Sequence, residues 1–254
     1  MRVVSSLNTL SFDVVIPARL QSTRLPGKLL MDLEGKTVLE RVFQQAMQAQ
    51  PRQITIATDD EHIASTARGF GADVVMTSAH HASGTSRCAE AVSLLGLPSD
   101  TIIVNVHGDE PLIDPRLIVQ VAKALSQAQA PMATLCWPIV DREEWMNPNV
   151  VKVVRNAQNH ALYFSRSPIP AHRDHTDALK LAYKHIGLYA YRAHFLQQMV
   201  DFPSCDLEHV EALEQLNVLY AGHAILVEQA CAAPRQDINT ADDLALARRA
   251  LMGL

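Results

Sequence analysis

The chain lacks most of the signatures by which a sequence declares its chemistry. Its four cysteines, Cys88, Cys136, Cys205 and Cys231, are scattered, with no Cys-x-x-Cys and no Cys/His pair at zinc-ligand spacing. That excludes a disulfide framework or zinc site as the organising device and points to packing roles in a reduced compartment. No stretch approaches the roughly 20 apolar residues of a membrane span, and Met1 to Ser11 hold one Arg and too short an apolar run for a signal peptide. The expectation is a cytoplasmic protein without membrane contact. Basic residues are outnumbered 22 to 27, a net charge of −5. Nonspecific nucleic-acid binding, which needs a basic surface, is excluded, so any anion must be held by a local cluster of cations. GxGxxG, GxSxG, HExxH and a catalytic Cys–His context are all missing, which removes the usual dinucleotide and covalent readings. No internal repeat or low-complexity segment is present.

What is present is an ordinary globular composition, 48% hydrophobic and 19% charged over 254 residues, enough for one large α/β domain. Phe12 to Pro17 is a short β-branched run that breaks into a loop carrying Arg19, Ser22, Thr23, Arg24, Gly27 and Lys28. A buried strand followed by a basic loop is how α/β sheets place anionic ligands at strand carboxyl ends; the alternative is a solvated turn. Helical spacing follows at Leu39 to Met47, a strand at Ile54 to Thr58, a helix from about Glu61 to Phe70, a strand at Ala72 to Met76 and a helix from about Gly84 to Leu95. Thr101 to Val106 is the most strongly β-branched run and reads as the central strand; Asp114-Pro115 then opens a helix to about Gln127. The alternation predicts a Rossmann-like α/β fold, with a largely parallel sheet and helices on both faces.

From Pro131 the pattern changes. Met132 to Pro138, Val150 to Val154, His160 to Phe164 and Tyr183 to Tyr191 read as strands, a smaller β-rich section at about 131–200 within a single domain spanning 1–254. From Asp206 a helical stripe of Leu207, Val210, Leu213, Leu216 and Tyr220 is predicted, with Glu211 and Gln215 one turn apart on another face. A strand at Ala224 to Val227 and a helix from Thr240 to Leu251 close the chain.

Three constellations carry chemistry. Asp109, directly after the central strand and beside Gly108, suits a hard divalent cation such as Mg²⁺, which is held by one or two carboxylates and by phosphate oxygens; a turn-capping Asp is the alternative. Asp237, ahead of the last helix, is the candidate second carboxylate, with an ordinary cap as the alternative and Asp242 and Asp243 as rivals. His185, Gly187, Tyr189 and Tyr191 share one strand face, polar enough for a polyhydroxylated ligand, with Arg166, Glu211 and Gln215 as further lining; the alternative is tyrosines packed in a core. His80-His81 and His172-x-x-His175 sit on no convincing helix with a carboxylate partner and read as surface or hydrogen-bonded residues.

In this order the residues resemble the 3-deoxy-manno-octulosonate (Kdo) cytidylyltransferases, or CMP-Kdo synthetases, of Gram-negative lipopolysaccharide synthesis. The matching stretches are Ile16-Pro17-Ala18-Arg19 with Ser22 to Lys28, Ala57-Thr58-Asp59, Ser83-Gly84-Thr85, Val104-Asn105-Val106-x-Gly108-Asp109-Glu110-Pro111, Ala161 to Arg166, His185-x-Gly187-x-Tyr189 and Leu213-Glu214-Gln215-Leu216. The resemblance implies a nucleotide-diphospho-sugar transferase fold, a β-rich dimerisation region, a homodimer, and Mg²⁺-dependent transfer of CMP from CTP to Kdo. It implies that Arg19, Arg24 and Lys28 hold the triphosphate, and that Asp109, Lys28 and Arg19 serve catalysis. Ser83 and Arg87 would lie near the nucleotide, Asp109 and Asp237 on the metal, and Arg166, His185, Tyr189, Glu211 and Gln215 around the sugar acid. The chain departs from the family at two places. The family has Gln where this chain has His107, which bears on substrate contacts and leaves a variant acid sugar such as an 8-amino Kdo analogue open. Near the end the family's Asp directly precedes Thr, whereas here Asn239 precedes Thr240 and Asp237 stands two residues earlier. A sialic-acid-like substrate, a metal-dependent glycosyltransferase and a catalytically idle CTP-binding protein are also compatible with these residues.

Overall fold

The computed structural model of the chain describes residues 10–22, 24–171, 173, 178–203 and 205–253. Thr23 of the basic loop, and His172 and His175, lie outside the described residues. The first half follows the predicted alternation: β1 (Asp13–Ala18), α1 (Val38–Gln48), β2 (Gln53–Thr58), α2 (Glu61–Gly69), β3 (Asp73–Met76), α3 (Gly84–Leu94), β4 (Ile102–Asn105) and α4 (Pro115–Gln127). Local chemistry sets these boundaries. Thr37 caps α1 by accepting from the Glu40 amide, Asp114 caps α4 from the Arg116 amide with Pro115 in the first turn, and Gly71, at φ 86°, lets the chain leave α2. Val38, Leu39, Val42, Phe43 and Ala46 form the buried stripe of α1, and each large side chain there contributes about 1.5–3 kcal/mol of burial before entropy is counted.

The second half adds β5 (Met132–Pro138), α5 (Arg142–Met146), β6 (Lys152–Arg155), β7 (Ala161–Ser165), β8 (Tyr183–Arg192), α6 (Ala193–Gln198), α7 (Asp206–Glu211), α8 (Gln215–Tyr220), β9 (Ile225–Gln229) and α9 (Ala241–Leu251). The sheet runs β3-β2-β1-β4-β8-β5-β9. The neighbours β3, β2, β1 and β4 are parallel; β8 is antiparallel to both β4 and β5, and β5 is parallel to β9. Of the section read as β-rich, β5 and β8 are thus members of the main sheet, and β6 and β7 form the hairpin beside it. Among the described residues no helix is long and apolar enough to cross a membrane.

Two features of this topology place the site. From β1 the chain moves to β2 and β3 on one side and returns to β4 on the other, so the loops after β1 and β4 diverge from a switch point and leave a crevice. Strand β8 runs the other way, pairing Tyr189 with Asn105. Its earlier residues His185 and Gly187 therefore extend past the carboxyl end of β4, on the same edge as His107 and Asp109. At this edge Gly108 leaves little room for a side chain: a Cβ there would lie 3.3 Å from the Pro17 carbonyl oxygen and 3.4 Å from the Leu29 methyls, so its neighbours would have to give by a few tenths of an ångström.

One predicted element is corrected. The helix expected from Asp206 to Tyr220 is two short helices, broken at Ala212, whose φ of 49° is left-handed. Leu207 and Val210 consequently stand exposed instead of joining a core stripe. The short helices α5 and α6 have too few turns to show a period in the sequence.

Candidate active site

The loop after β1 closes one wall of a cavity of about 280 Å³, bordered by Arg19, Ser22, Arg24 and Lys28 and faced by Ser83, Arg87, His107 and Asp109. Gly27, left-handed at φ 68°, turns the chain so that Lys28 starts a single 3₁₀ turn beneath the cavity. The Lys28 ammonium donates to Asp109 Oδ2 (2.5 Å), the Ile238 carbonyl (2.8 Å) and Asn239 Oδ1 (3.1 Å). Arg24 donates to the same Asn239 oxygen at 2.9 Å. Arg19 is exposed and forms no hydrogen bond or ion pair among the described residues. The three cations are thus gathered at one cavity, and Asn239, a neutral acceptor, holds two of them without cancelling their charge.

Across the cavity, the segment before α9 is pinned to the β4 loop: the Ile238 amide donates to the Asp109 carbonyl at 2.9 Å, and Ile238 is buried with Leu33, Val38 and Leu244. This brings Asp237 into the field of Asp109 and Glu110. Burial, then the charge of Asp109, pushes the Asp237 carboxyl up to about 6, against the opposing pull of His107 and Lys28. Burial, then Asp237 and Asp109, pushes Glu110 well above the carboxylate range. An all-oxygen cluster with more negative charge than its surroundings can stabilise fits a hard dication. Among the described residues no group of three or more His, Cys, Asp or Glu is arranged to hold a metal; an ion such as Mg²⁺ takes most of its ligands from phosphate and water. Asn239, not Asp237, touches the cations; Asp237 belongs to the carboxylates.

The raised Asp237 pKa has a sign. Ionising Asp237 is harder in the folded chain than in the unfolded one, so stability is greatest below the ordinary value of 3.8 and falls as pH rises towards about 6. Asp237→Asn should therefore stabilise the metal-free protein above pH 6 by about 1–3 kcal/mol, with the gain fading as pH drops towards 4. Thermal unfolding of both proteins in a chelator across that range is the check; identical curves would remove Asp237 from the cluster.

A second cavity, of about 300 Å³, lies between β8 and the α7–α8 region. His185, Gly187, Tyr189 and Tyr191 border it, as the alternation predicts, together with Gln215 and Glu214. Burial keeps His185 neutral, its pKa down at about 3 with His107 adding to the effect, and raises both tyrosines. Glu214 accepts from Ser83 Oγ (2.9 Å) and Thr85 Oγ1 (3.0 Å); burial raises its pKa in spite of these bonds. His107 borders both cavities and is 39% exposed, with Nδ1 3.6 Å from Glu110 Oε1. Its ring also meets Gly187, where a Cβ would lie 3.5 Å from His107 Cε1.

Glu211 stands away from the second cavity, and Arg166, Arg87 and His81 have partners that the sequence alone does not show. The Glu211 carboxylate accepts from Ser165 Oγ (2.5 Å) and the Arg166 amide (2.8 Å), outside the second cavity. The break at Ala212 turns Glu211 away and puts Glu214 in its place. Arg166 borders a larger groove of about 960 Å³, and three of its five N–H donors go to the carbonyls of Glu211, Pro148 and Ala212. Arg87 is buried, ion-paired with Asp59 at 3.0 Å and donating to Thr77 Oγ1 at 2.6 Å. It braces the wall of the nucleotide-sized cavity. His81, read from sequence as a surface or hydrogen-bonded residue, borders that cavity with Nε2 2.5 Å from Glu90 Oε2, its carboxylate partner on α3.

Comparison with known proteins gives the family and the fold. The sequence model of a family described as cytidylyltransferase matches residues 14–226. A protein of Legionella pneumophila (strain Lens) named 3-deoxy-manno-octulosonate cytidylyltransferase is 55% identical over 239 residues, 94% of this chain and 96% of the relative. One of the same name from Vibrio vulnificus (strain YJ016) is 49% identical over 245 residues, 94% of this chain and 98% of the relative. Among solved structures, CMP:2-keto-3-deoxy-manno-octonic acid synthetase complexed with CTP superposes with a TM-score of 0.87 at 40% identity, covering 96% of this chain and 99% of that one. A cytidylyltransferase from Leptospira borgpetersenii, at a TM-score of 0.63 and 16% identity over 96% of this chain and 88% of that one, shares the fold alone.

Proposed function

The chain belongs to the 3-deoxy-manno-octulosonate cytidylyltransferase family, and from that premise we propose that it transfers CMP from CTP to Kdo, releasing pyrophosphate, for lipopolysaccharide biosynthesis. The observation that carries the reading is the meeting of two cavities at His107 to Asp109, one walled by Arg19, Arg24 and Lys28 and the other by hydroxyls, an imidazole and a carboxylate. A triphosphate fits the first and a polyhydroxylated acceptor the second. The anomeric hydroxyl oxygen bonds to the α-phosphorus, the bond to the pyrophosphate oxygen breaks, and the hydroxyl proton passes to solvent.

Within this reading Arg19, Arg24 and Lys28 bind the phosphates and stabilise the charge that grows on the leaving pyrophosphate. Ser83 and Arg87 shape the nucleotide wall, while His185, Tyr189, Glu214 and Gln215 orient the sugar. Arg166 retains two donors with no partner among the described residues, at the edge of the larger groove, for a carboxylate. Asp109 and Asp237 would hold Mg²⁺, which supplies charge neutralisation at the transferred phosphate. Lys28 must then release Asp109, its ammonium moving to phosphate oxygens. Homodimer formation is the family expectation. A cytoplasmic location suits the proposed nucleotide and sugar substrates.

The test is pyrophosphate release with each of four nucleoside triphosphates, Mg²⁺ and a panel of acid sugars that includes Kdo, its 8-amino analogue and sialic acid. Turnover with CTP and Kdo is expected. Turnover with another sugar alone would replace the acceptor, and CTP binding without any turnover would reduce the protein to a nucleotide binder.

A further inference from the structure

Thr134 lies where the pairing of β5 with β8 slips: Thr134 faces Tyr189, but Leu135, the next residue, faces Ile186. Gly187 and Leu188 are left without partners, a bulge of two residues. Because the insertion is even, the alternation of faces survives it. His185, Gly187 and Tyr189 border the acceptor cavity, while Ile186 and Leu188 enter the opposite core. The slip also turns two backbone carbonyls onto one side chain: Thr134 Oγ1 is 2.9 Å from both Ile186 O and Leu188 O. Its third neighbour is His185 Nε2, at 3.0 Å.

Thr134 is fully buried, and its hydroxyl has a single proton to give. Carbonyls only accept, so that proton goes to Ile186 O or Leu188 O, and towards His185 the oxygen is an acceptor. Nε2 of His185 must then carry the ring proton. In the opposite tautomer both carbonyl oxygens would face hydroxyl lone pairs at 2.9 Å with no proton between them. The imidazole is neutral at working pH and braced by Phe164 and Tyr189, with ring centroids 5.0 and 5.2 Å away. Its other nitrogen, Nδ1, has no partner among the described residues and keeps its lone pair.

We propose that Thr134 is a positioning residue that fixes His185 as the Nε2–H tautomer, so that Nδ1 accepts a hydrogen bond from a hydroxyl of the acceptor sugar. The proposal rests on the reading of the second cavity as the sugar site. It makes His185 a reader of the polyol and not of the carboxylate, since a carboxylate also only accepts. Discrimination follows, because an acceptor lacking that hydroxyl leaves Nδ1 unpaired in a desolvated site.

Long-range ¹H–¹⁵N correlation of the imidazoles at neutral pH tests this directly, with His185 assigned by its loss in His185→Phe. The wild type is expected to show His185 protonated at Nε2 only. Thr134→Val, similar in volume but without the hydroxyl, should give mixed tautomers and raise the KM for Kdo roughly tenfold, the worth of one well-placed hydrogen bond, with the KM for CTP unchanged. Thr134→Ser should restore both. Protonation at Nδ1 in the wild type, or an unaltered spectrum in Thr134→Val, overturns the proposal whatever the sugar is. Absence of CMP transfer to Kdo by the wild type would instead defeat the functional reading, with the spectrum still deciding the role of Thr134.

Discussion

Asp109→Ala should lower kcat for CMP transfer by ~10³-fold or more while leaving CTP bound and the fold intact. The magnitude follows from removing a group that acts where charge develops, which costs at least about 10²–10³-fold in comparable sites. Asp109 sits at the switch point of the sheet, and its carboxylate is the meeting place of Lys28 and the Asp237 cluster. The fold survives because the backbone contact that pins the α9 segment, Ile238 amide to Asp109 carbonyl, needs no side chain. Loss of the Lys28 partner is offset by relief of Glu110 and Asp237, whose raised pKa values both include the Asp109 charge. Steady-state kinetics with CTP and Kdo, far-UV circular dichroism and CTP titration are the measurements. A variant within tenfold of wild type would remove Asp109 from the chemistry.

Lys28→Met is expected to reduce kcat/KM for CTP by roughly 10²–10³-fold, and, unlike Asp109→Ala, to weaken CTP binding. It should also destabilise the free protein. Without its ammonium, Asp109 is left beside Glu110 and Asp237 with no cation in contact, in a site where the two partners are only 13% and 21% exposed. The cost is about 1–3 kcal/mol, less than for a fully buried pair because water still reaches Asp109. The double variant Lys28→Met/Asp109→Ala should recover most of that stability and none of the activity. A stable Lys28→Met with wild-type affinity for CTP would mean that Arg19 and Arg24 alone hold the triphosphate.

The half of the fold that builds the crevice is legible in the sequence because its signals are local. β1 and β4 are runs of Val and Ile closed by loop residues, and α4 is announced by Asp114-Pro115. The basic loop and Asp109 follow from those strands, since the residues directly after a buried parallel strand emerge at its carboxyl edge. The reversal of β8 is not local. Nothing in Tyr183 to Tyr191 specifies that it inserts antiparallel between β4 and β5, and that insertion is what carries His185 to the edge.

Glu214 is hidden in the sequence for a different reason. A continuous helix from Asp206 puts Glu211 and Gln215 on one face, but Ala212 adopts a left-handed conformation that alanine does not advertise. The face changes, and Glu214 replaces Glu211 at the cavity. His81 gives no sequence signal because its partner, Glu90, is presented from α3, a relation that only folding creates. Asp237 and Asn239 are both legible as candidates. Their division of labour, Asn239 on the cations and Asp237 among the carboxylates, depends on the pinning of Ile238 beneath Lys28 and Asp109.

In the proposed reaction, CMP transfer from CTP to the sugar acid takes place between the Arg19–Lys28 cations and Asp109 and Asp237, which would hold a dication. The most direct test is the rate of pyrophosphate release from CTP and Kdo as Mg²⁺ is titrated into chelator-treated protein, for the wild type and Asp237→Asn. No turnover is expected without Mg²⁺, with saturable activation of the wild type and a right-shifted titration for Asp237→Asn. Full activity in excess chelator, or coincident Mg²⁺ titrations for the two proteins, would contradict it.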